Sequence, residues 1–128
     1  MKTILVTCAI IHFDEKILAV QRSKTMKLPL KWEFAGGKIE SGESEINCIK
    51  REIFEELNIK IDIIERLTPV THQYSNFKIK LIPFITEYHS GEIKLKEHCN
   101  FLLADKNELI NLDWAEADLP VLKEYLSL

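Results

Sequence analysis

The sequence has few of the residues that build cross-linked or zinc-stapled proteins. Its 128 residues include only three cysteines, Cys8, Cys48 and Cys99, which lie far apart and form no CxxC pair. This odd, scattered set argues against a disulfide framework and a zinc cluster, and is typical of reduced thiols in the cytoplasm. No run reaches the roughly 18 apolar residues of a membrane span. We therefore expect a cytoplasmic protein with no membrane partner.

An excess of positive charge and low-complexity linkers are also missing. Lysine and arginine total 17 against 20 aspartates and glutamates, a net charge of −3. A stable nucleic-acid partner, held through phosphate contacts, is therefore not expected. Because no Pro-, Gly- or Ser-rich stretch divides the chain, a single domain is predicted over residues 1–128.

Runs of β-branched and apolar residues predict two hairpins and further short strands. The first hairpin is predicted from strands 3–13 and 16–22 around the turn Asp14-Glu15-Lys16, and the second from strands 61–74 and 77–89 around Ser75-Asn76. A short extended segment is predicted at 32–34, and a last strand at 92–96 after a turn at Ser90-Gly91. The first apolar run is followed by a turn and not by a cleavage motif, which favours a strand over a signal peptide.

One long helix is predicted at 44–57, with Ser44 as its N-cap and Asn58 in the left-handed position that ends it. The two short helices near the end are 105–111, capped by Asp105, and 117–127, capped by Asp118 with Pro120 in its first turn. Strands with one helix in the middle and two at the end predict an α+β domain, with a mixed sheet between helices.

Three carboxylates share one face of the long helix. Glu52, Glu55 and Glu56 are spaced i, i+3 and i+4, so they lie within about a third of the helix circumference. The predicted core face is a separate apolar stripe formed by Ile46, Ile49, Ile53 and Leu57. Carboxylates on a rigid element suit hard cations such as Mg²⁺ or Mn²⁺. The alternative is a solvated acidic face.

A longer pattern decides between these alternatives. Gly37 is followed after five residues by Glu43, and after seven more by Arg51-Glu52-Ile53-x-Glu55-Glu56-x-Asn58-Ile59. This spacing resembles the Nudix box of the Nudix hydrolases. The family usually has glycine where this chain has Asn58, and asparagine tolerates the left-handed conformation better than other side chains.

The resemblance covers nearly the whole chain. The segments TILVTCAIIHFDEKILAVQR, WEFAGGKIESGES and ADLPVLKEYL are similar to the MutT-like branch, of the 8-oxo-dGTP diphosphatase and CTP pyrophosphohydrolase type. This implies the Nudix fold, an α/β/α sandwich in which a mixed sheet lies between helices and the box forms a loop–helix–loop. It also implies an enzyme dependent on Mg²⁺, with Mn²⁺ as a substitute, that hydrolyses a nucleoside triphosphate to the monophosphate and pyrophosphate.

The resemblance also assigns roles to particular residues. The implied metal ligands are the Gly36 carbonyl, Glu52, Glu55, Glu56 and Glu97, with Glu43 as a supporting residue or an outer ligand. Arg51 is the implied orienting residue of the box. The general base is either Glu52 or Glu97, because a carboxylate ligand can also accept a proton from water. The implied substrate-binding residues are Arg22, Phe34, Gly37, Lys38 and Asp118.

Several of these assignments have a structural alternative. Arg22 is equally well a surface arginine at a strand end, and Phe34 a core residue. Asp118 either accepts a hydrogen bond from an exocyclic amine of a base or only caps the last helix. Structural or surface roles are expected for the histidines, which lack metal-binding spacing, although one neighbours Glu97: His12, His72, His89 and His98.

The favoured function is the hydrolysis of modified or surplus nucleoside triphosphates, with 8-oxo-dGTP or a cytosine-type substrate (CTP, dCTP or a 5-modified dCTP). One alternative is a nucleotide-sensing module of the same fold without catalysis, although the intact box carboxylates argue against it. Another is a hydrolase of a nucleoside diphosphate derivative such as ADP-ribose, which the MutT-like ends disfavour. A monomer or weak homodimer is expected.

Overall fold

A mixed eight-stranded sheet organises the chain, and the computed structural model describes residues 2–128. The strands are β1 (Thr3–Phe13), β2 (Lys16–Gln21), β3 (Trp32–Glu33), β4 (Gly36–Lys38), β5 (Ile59–Arg66), β6 (Val70–Gln73), β7 (Lys78–Gly91) and β8 (Asn100–Ala104). The helices are α1 (Glu45–Leu57), α2 (Lys106–Ile110) and α3 (Leu119–Leu126), the last preceded by a 3₁₀ turn at Glu116–Asp118.

Two long parallel strands, β1 and β7, form the centre of the sheet. Their register runs from Thr3 opposite Lys78 to His12 opposite Glu87. The main strand order is β3-β2-β1-β7-β5, while β4 pairs with β1, β6 with β7 and β8 with β2. The middle parts of both central strands are continuously buried, as expected for parallel strands covered on both faces.

Helices cover both faces of the sheet, which confirms the predicted Nudix fold with its sheet between helices. On one face α1 packs through Ile49, Ile53 and Leu57 against sheet residues that include Ile11 and Val20. On the other face the apolar residues of α2 and α3 pack around Ile10 and Ile17; they are Leu109, Val121, Leu122 and Tyr125. The box helix is therefore anchored along its apolar side, which fixes the direction of its acidic side.

One residue of the predicted apolar stripe lies outside the core. Ile46 is 45% exposed, and the prediction that it packs against the sheet is wrong. Its angle around the helix lies about 60° from Ile49, inside the buried arc, so its exposure follows from its place in the first turn. Cys48 is fully buried instead.

The strand predictions fail where other backbone partners are available. Ser90 and Gly91 continue β7, because they pair with Lys60 and Ile59 of β5. Residues 92–96 form no strand; the Lys94 and Lys96 amides donate to the last carbonyls of α1 at 3.0 and 3.3 Å. The predicted strand 61–74 is interrupted at residues 67–69, where Pro69 has no amide to donate. Strand β8 was not predicted.

The hairpin of β1 and β2, the long helix and the cap of α2 agree with the sequence. Asp14 adopts a left-handed conformation (φ 56°) in the hairpin turn. Asp105 caps α2, and Glu108 completes a reciprocal capping box with it. Among residues 2–128, no helix is both long enough and apolar enough to pass through a lipid bilayer.

We predict that Gly36→Ala strongly destabilises the folded protein. Gly36 pairs with Cys8 of β1, and a Cβ at position 36 would lie 1.9 Å from the Thr7 carbonyl oxygen and 2.7 Å from the Cys8 Cα. Because backbone atoms cannot turn aside, β4 would have to leave β1, at a cost of more than about 2 kcal/mol in the free energy of unfolding. Urea denaturation measures this cost.

Gly37→Ala is the matched control for that prediction. A Cβ at position 37 meets the Glu52 carboxylate, the movable end of a side chain, so the unfolding midpoint should fall much less. Equal midpoints for the two variants would contradict the steric argument.

Candidate active site

Helix α1 holds the acidic residues because both of its ends are fixed. The Ser44 side chain accepts a hydrogen bond from the Asn47 amide at 3.1 Å, which is N-cap geometry. At the other end Asn58 adopts the left-handed conformation (φ 62°) and its amide donates to the Phe54 carbonyl. The residue that departs from the box pattern thus keeps the backbone conformation that the pattern's glycine would supply.

Arg51 gathers three carboxylates around its guanidinium. Its Nε and Nη2 donate to both oxygens of Glu43 at 2.6 and 3.0 Å. Its Nη1 donates to Glu52 at 2.9 Å and to Glu55 at 3.1 Å. The Arg51 hydrogen bonds lower the pKa of Glu43 to about 2. Arg51 therefore pairs with both oxygens of Glu43 and with one oxygen of Glu52.

Glu52 lies against the glycine loop. A Cβ at position 37 would stand 2.2 Å from the Glu52 carboxylate, so glycine at this position is what lets the carboxylate approach the loop. Burial raises the pKa of Glu52, against the opposing effect of Arg51. Glu55 points outward, with its side chain 54% exposed.

Glu56 lines a cavity, and one of its carboxylate oxygens lacks a hydrogen-bond partner. Its buried Oε2 has no hydrogen-bond partner within the described part of the chain, which is costly unless a ligand supplies one. Burial, followed by the charge of Glu97, raises the pKa of Glu56. An oxygen of this kind beside a second carboxylate fits a divalent cation.

The acidic residues do not yet form a closed metal cage. In residues 2–128, no three histidine, cysteine, aspartate or glutamate side chains stand together as a preformed metal cluster. Glu52 and Glu55 are held by Arg51, while Glu56 turns towards the cavity. The donor types fit a hard cation, and binding would have to draw the carboxylates together.

A cavity of about 540 Å³ begins at this acidic edge and runs along the sheet. Eight of the predicted site residues line it: Arg22, Phe34, Gly36, Gly37, Lys38, Glu56, Glu97 and Asp118. The other four, Glu43, Arg51, Glu52 and Glu55, form the group joined by the Arg51 guanidinium. A volume of this size accommodates a nucleotide-sized ligand.

The family model of the NUDIX domain matches residues 1–125. The chain belongs to the Nudix hydrolase family. Nudix hydrolases are enzymes that act on nucleotide anhydrides, generally with divalent cations, which agrees with an acidic edge at one end of a nucleotide-sized cavity.

Named relatives refine the comparison. The chain is 34% identical to the CTP pyrophosphohydrolase of Escherichia coli, over all of this chain and 95% of that protein. It is 28% identical to the putative 8-oxo-dGTP diphosphatase 2 of Mycobacterium tuberculosis, over 80% of this chain and 73% of that protein. The solution structure of the E. coli ORF135 protein matches with a TM-score of 0.88 and 34% identity, over 100% of this chain and 91% of that one.

The far end of the Nudix cavity is built around Asp118. Its Oδ2 accepts a hydrogen bond from the Phe34 amide at 2.8 Å, and its side chain makes no capping hydrogen bond to α3. The prediction that Asp118 caps the last helix is therefore wrong, because its carboxylate accepts a hydrogen bond from the Phe34 amide instead. The side chain of Phe34 is buried, with its ring 4.7 Å from that of Trp114.

The cavity lining also includes residues that the sequence did not mark as site residues, among them Glu33, Tyr74, Phe77 and Lys27. Glu33 accepts from Arg22 Nη1 at 2.9 Å and lies 2.7 Å from His98 Nε2. The signal for Glu33 was available, since a carboxylate between two aromatic residues in a short strand beside Gly-Gly is an unusual placement. Tyr74 and Phe77 stack at 5.2 Å in the loop between β6 and β7, and no spacing rule marks them.

We predict that Asp118→Asn removes a pH-dependent loss of stability. Burial, then the charge of Glu33, raises the pKa of Asp118 well above its usual value. Above about pH 4 the unfolded state loses this proton, while the raised pKa delays its loss from the folded state, so folding stability falls as pH rises, by up to about 1.4 kcal/mol per pH unit. Asparagine carries no such proton and still accepts from the Phe34 amide.

The measurement is urea denaturation of both proteins between pH 5 and pH 8. The stability of Asp118→Asn relative to the wild type should increase with pH. Asp113→Asn is the control, since Asp113 is an exposed carboxylate paired with Lys31, and its difference from the wild type should stay constant. A constant difference for Asp118→Asn would contradict the prediction.

Proposed function

We propose that this Nudix hydrolase converts cytosine-type nucleoside triphosphates (CTP, dCTP or 5-modified dCTP) to the monophosphate and pyrophosphate, with Mg²⁺ as its metal and Mn²⁺ as a substitute. The observation that carries the proposal is that one cavity has acidic residues at one end and a buried carboxyl group at the other. Glu56 of α1 stands at one end together with Glu97, and the buried Asp118 stands at the other. The relative named CTP pyrophosphohydrolase supports the choice of base.

The metal would be held by Glu52, Glu55, Glu56 and Glu97, with the Gly36 carbonyl as a further oxygen ligand. These groups are hard oxygen donors, as Mg²⁺ requires. When bound, a divalent cation offsets the charge of the phosphate oxygens and supplies an activated water. Glu43 serves as a support in this proposal, because both of its oxygens are engaged by Arg51.

The proton from the attacking water would go to a carboxylate of the same edge. Glu52 is one candidate: Arg51 engages its Oε1, and no hydrogen bond from the described residues engages its Oε2. Glu97 is the other, since it lines the cavity and its charge acts on Glu56. Arg51 does not reach the cavity and acts by holding Glu52 in place.

The base would be read by Asp118. Its Oδ2 is occupied by the Phe34 amide, while its Oδ1 accepts no hydrogen bond from residues 2–128. Burial raises the pKa of this carboxyl, and in its protonated form it presents one acceptor and one donor. This pair complements the exocyclic amine and the N3 acceptor of cytosine.

Oxidised guanine is the second candidate base. The guanine edge carries two adjacent donors, which an ionised carboxylate would accept together. The relative named as a putative 8-oxo-dGTP diphosphatase supports this alternative. The raised pKa of Asp118 favours cytosine, because a neutral carboxyl has only one acceptor position facing the base.

We predict that Glu56→Gln and Glu55→Gln lower kcat/KM by more than about a hundredfold while the unfolding midpoint changes little, because each removes a metal-binding charge. Glu45→Gln is the control, since Glu45 lies on the same helix and pairs with Arg66 at 2.8 Å, away from the cavity. Pyrophosphate release with and without Mg²⁺ measures the effect. Near-wild-type turnover by both variants would overturn the ligand assignment.

A substrate panel tests how the base is read. The panel contains CTP, dCTP, 5-methyl-dCTP, 5-hydroxy-dCTP, 8-oxo-dGTP, dGTP and ADP-ribose. With a neutral Asp118, Asp118→Asn should keep the cytosine preference within about fivefold, because asparagine also offers one donor and one acceptor. Asp118→Ala should lower kcat/KM for cytosine substrates by about ten- to a hundredfold.

Two results of this panel would count against the cytosine proposal. Preferred hydrolysis of 8-oxo-dGTP, abolished by Asp118→Asn, would establish the guanine alternative. Preferred hydrolysis of ADP-ribose would establish a different diphosphate substrate, and binding of nucleotides without any hydrolysis would establish a sensing module.

A further inference from the structure

Three side chains that contact one another in a row line the cavity: Arg22, Glu33 and His98. Arg22 Nη1 donates to Glu33 Oε1 at 2.9 Å, and His98 Nε2 lies 2.7 Å from Glu33 Oε2. All three residues line the cavity, and neither Glu33 nor His98 belongs to the box pattern. Glu33 is therefore held on both oxygens, from two sides.

The fold brings these residues together at one end of three neighbouring strands. Strand β2 lies between β3 and β8, and its last residue, Gln21, is opposite Trp32 on one side and Asn100 on the other. The Cys99 amide also donates to the Gln21 carbonyl at 3.0 Å. The residue after β2, the last residue of β3 and the segment before β8 thus meet at a fixed place.

His98 is the most deeply buried of the three side chains. Its side chain is 4% exposed, against 17% for Glu33 and 19% for Arg22. Its Nδ1 is buried and has no hydrogen-bond partner in the described part of the chain, so the contact with Glu33 is the one polar contact of its ring. A buried ring held by packing fixes the carboxylate that it contacts.

Arg22, at the other end of this row of side chains, faces the cavity. Its Nη1 is engaged by Glu33 and its Nε by the Lys27 carbonyl. Its Nη2 donates to no residue in the described range 2–128. The orientation of the free Nη2 therefore depends on where Glu33 stands.

We propose that His98 is a positioning residue that holds Glu33, and through it the Arg22 guanidinium, so that Arg22 Nη2 meets the triphosphate of the nucleotide. The inference rests on the proposed function, because it requires a nucleotide in the cavity. Without the His98 contact, Glu33 Oε2 loses its partner, the carboxylate can rotate, and Arg22 samples orientations that do not meet the ligand. The cost therefore falls on nucleotide binding.

Two variants of similar length separate the hydrogen bond from the packing. His98→Gln keeps an N–H donor for Glu33, while His98→Met fills the space without one. We expect His98→Met to raise KM for CTP roughly tenfold with kcat changed less than about twofold, as for the loss of a ground-state contact. His98→Gln should stay within about threefold of the wild-type KM. His89→Met is the surface control, since His89 contacts Asp62 at 3.1 Å outside the cavity.

Two further measurements identify the route of the effect. In an Arg22→Ala background, adding His98→Met should change KM by less than about twofold, because the residue that His98 positions is already gone. The Mg²⁺ concentration for half-maximal rate should be unchanged by His98→Met, although Glu97 is its neighbour. Unfolding midpoints of all variants accompany the kinetics.

The outcomes separate the inference from the proposed function. Equal KM values for His98→Met and His98→Gln, an undiminished effect in the Arg22→Ala background, or a shifted Mg²⁺ requirement would each overturn the positioning role while leaving the hydrolase activity standing. A wild-type protein that releases no pyrophosphate from any nucleotide of the panel would overturn the proposed function and this inference together.

Discussion

The guanidinium of Arg51 is the contact on which the acidic site depends. Carboxylates crowded on one edge of a helix repel one another and resist being ionised together. Arg51 donates from Nε and Nη2 to Glu43 and from Nη1 to both Glu52 and Glu55, so three negative charges are fixed around one positive charge. Because the apolar face of α1 is packed against the sheet, this arrangement is held at one edge of the cavity, with Glu56 turned inward.

The two ends of the cavity use carboxylates in opposite ways. At the box end, Arg51 keeps Glu43 ionised. At the other end, Asp118 is buried, accepts one backbone hydrogen bond and tends to keep its proton. The carboxyl group thus carries a negative charge at one end and acts as a hydrogen-bond partner at the other. The difference comes from burial and from the neighbouring groups rather than from residue type.

The box helix, its caps and the first hairpin follow from local sequence signals, and the structure confirms them. Ser44, Asn58 and Asp105 act through neighbours a few residues away, which a pattern can identify. The failures involve distant partners: the Asp118 side chain accepts a hydrogen bond from the Phe34 amide instead of capping α3, and residues 92–96 bond to the end of α1 instead of to a strand. Of the site, the box and eight cavity residues were recognisable, whereas the place of Glu33 beside His98 depends on three strands coming together.

The parallel pairing of β1 with β7 has a consequence for how the chain folds. Thr3 lies opposite Lys78, so the central pair of the sheet joins segments far apart in sequence and closes a long loop. Contacts of this kind slow folding, since the loop entropy is lost before the contacts compensate for it. Helix α1 lies inside that loop, so it gains its full sheet support only after β7 has been made. A ribosome-bound chain that ends before β7 would therefore carry every acidic residue of the box and still lack the central strand pair against which α1 packs.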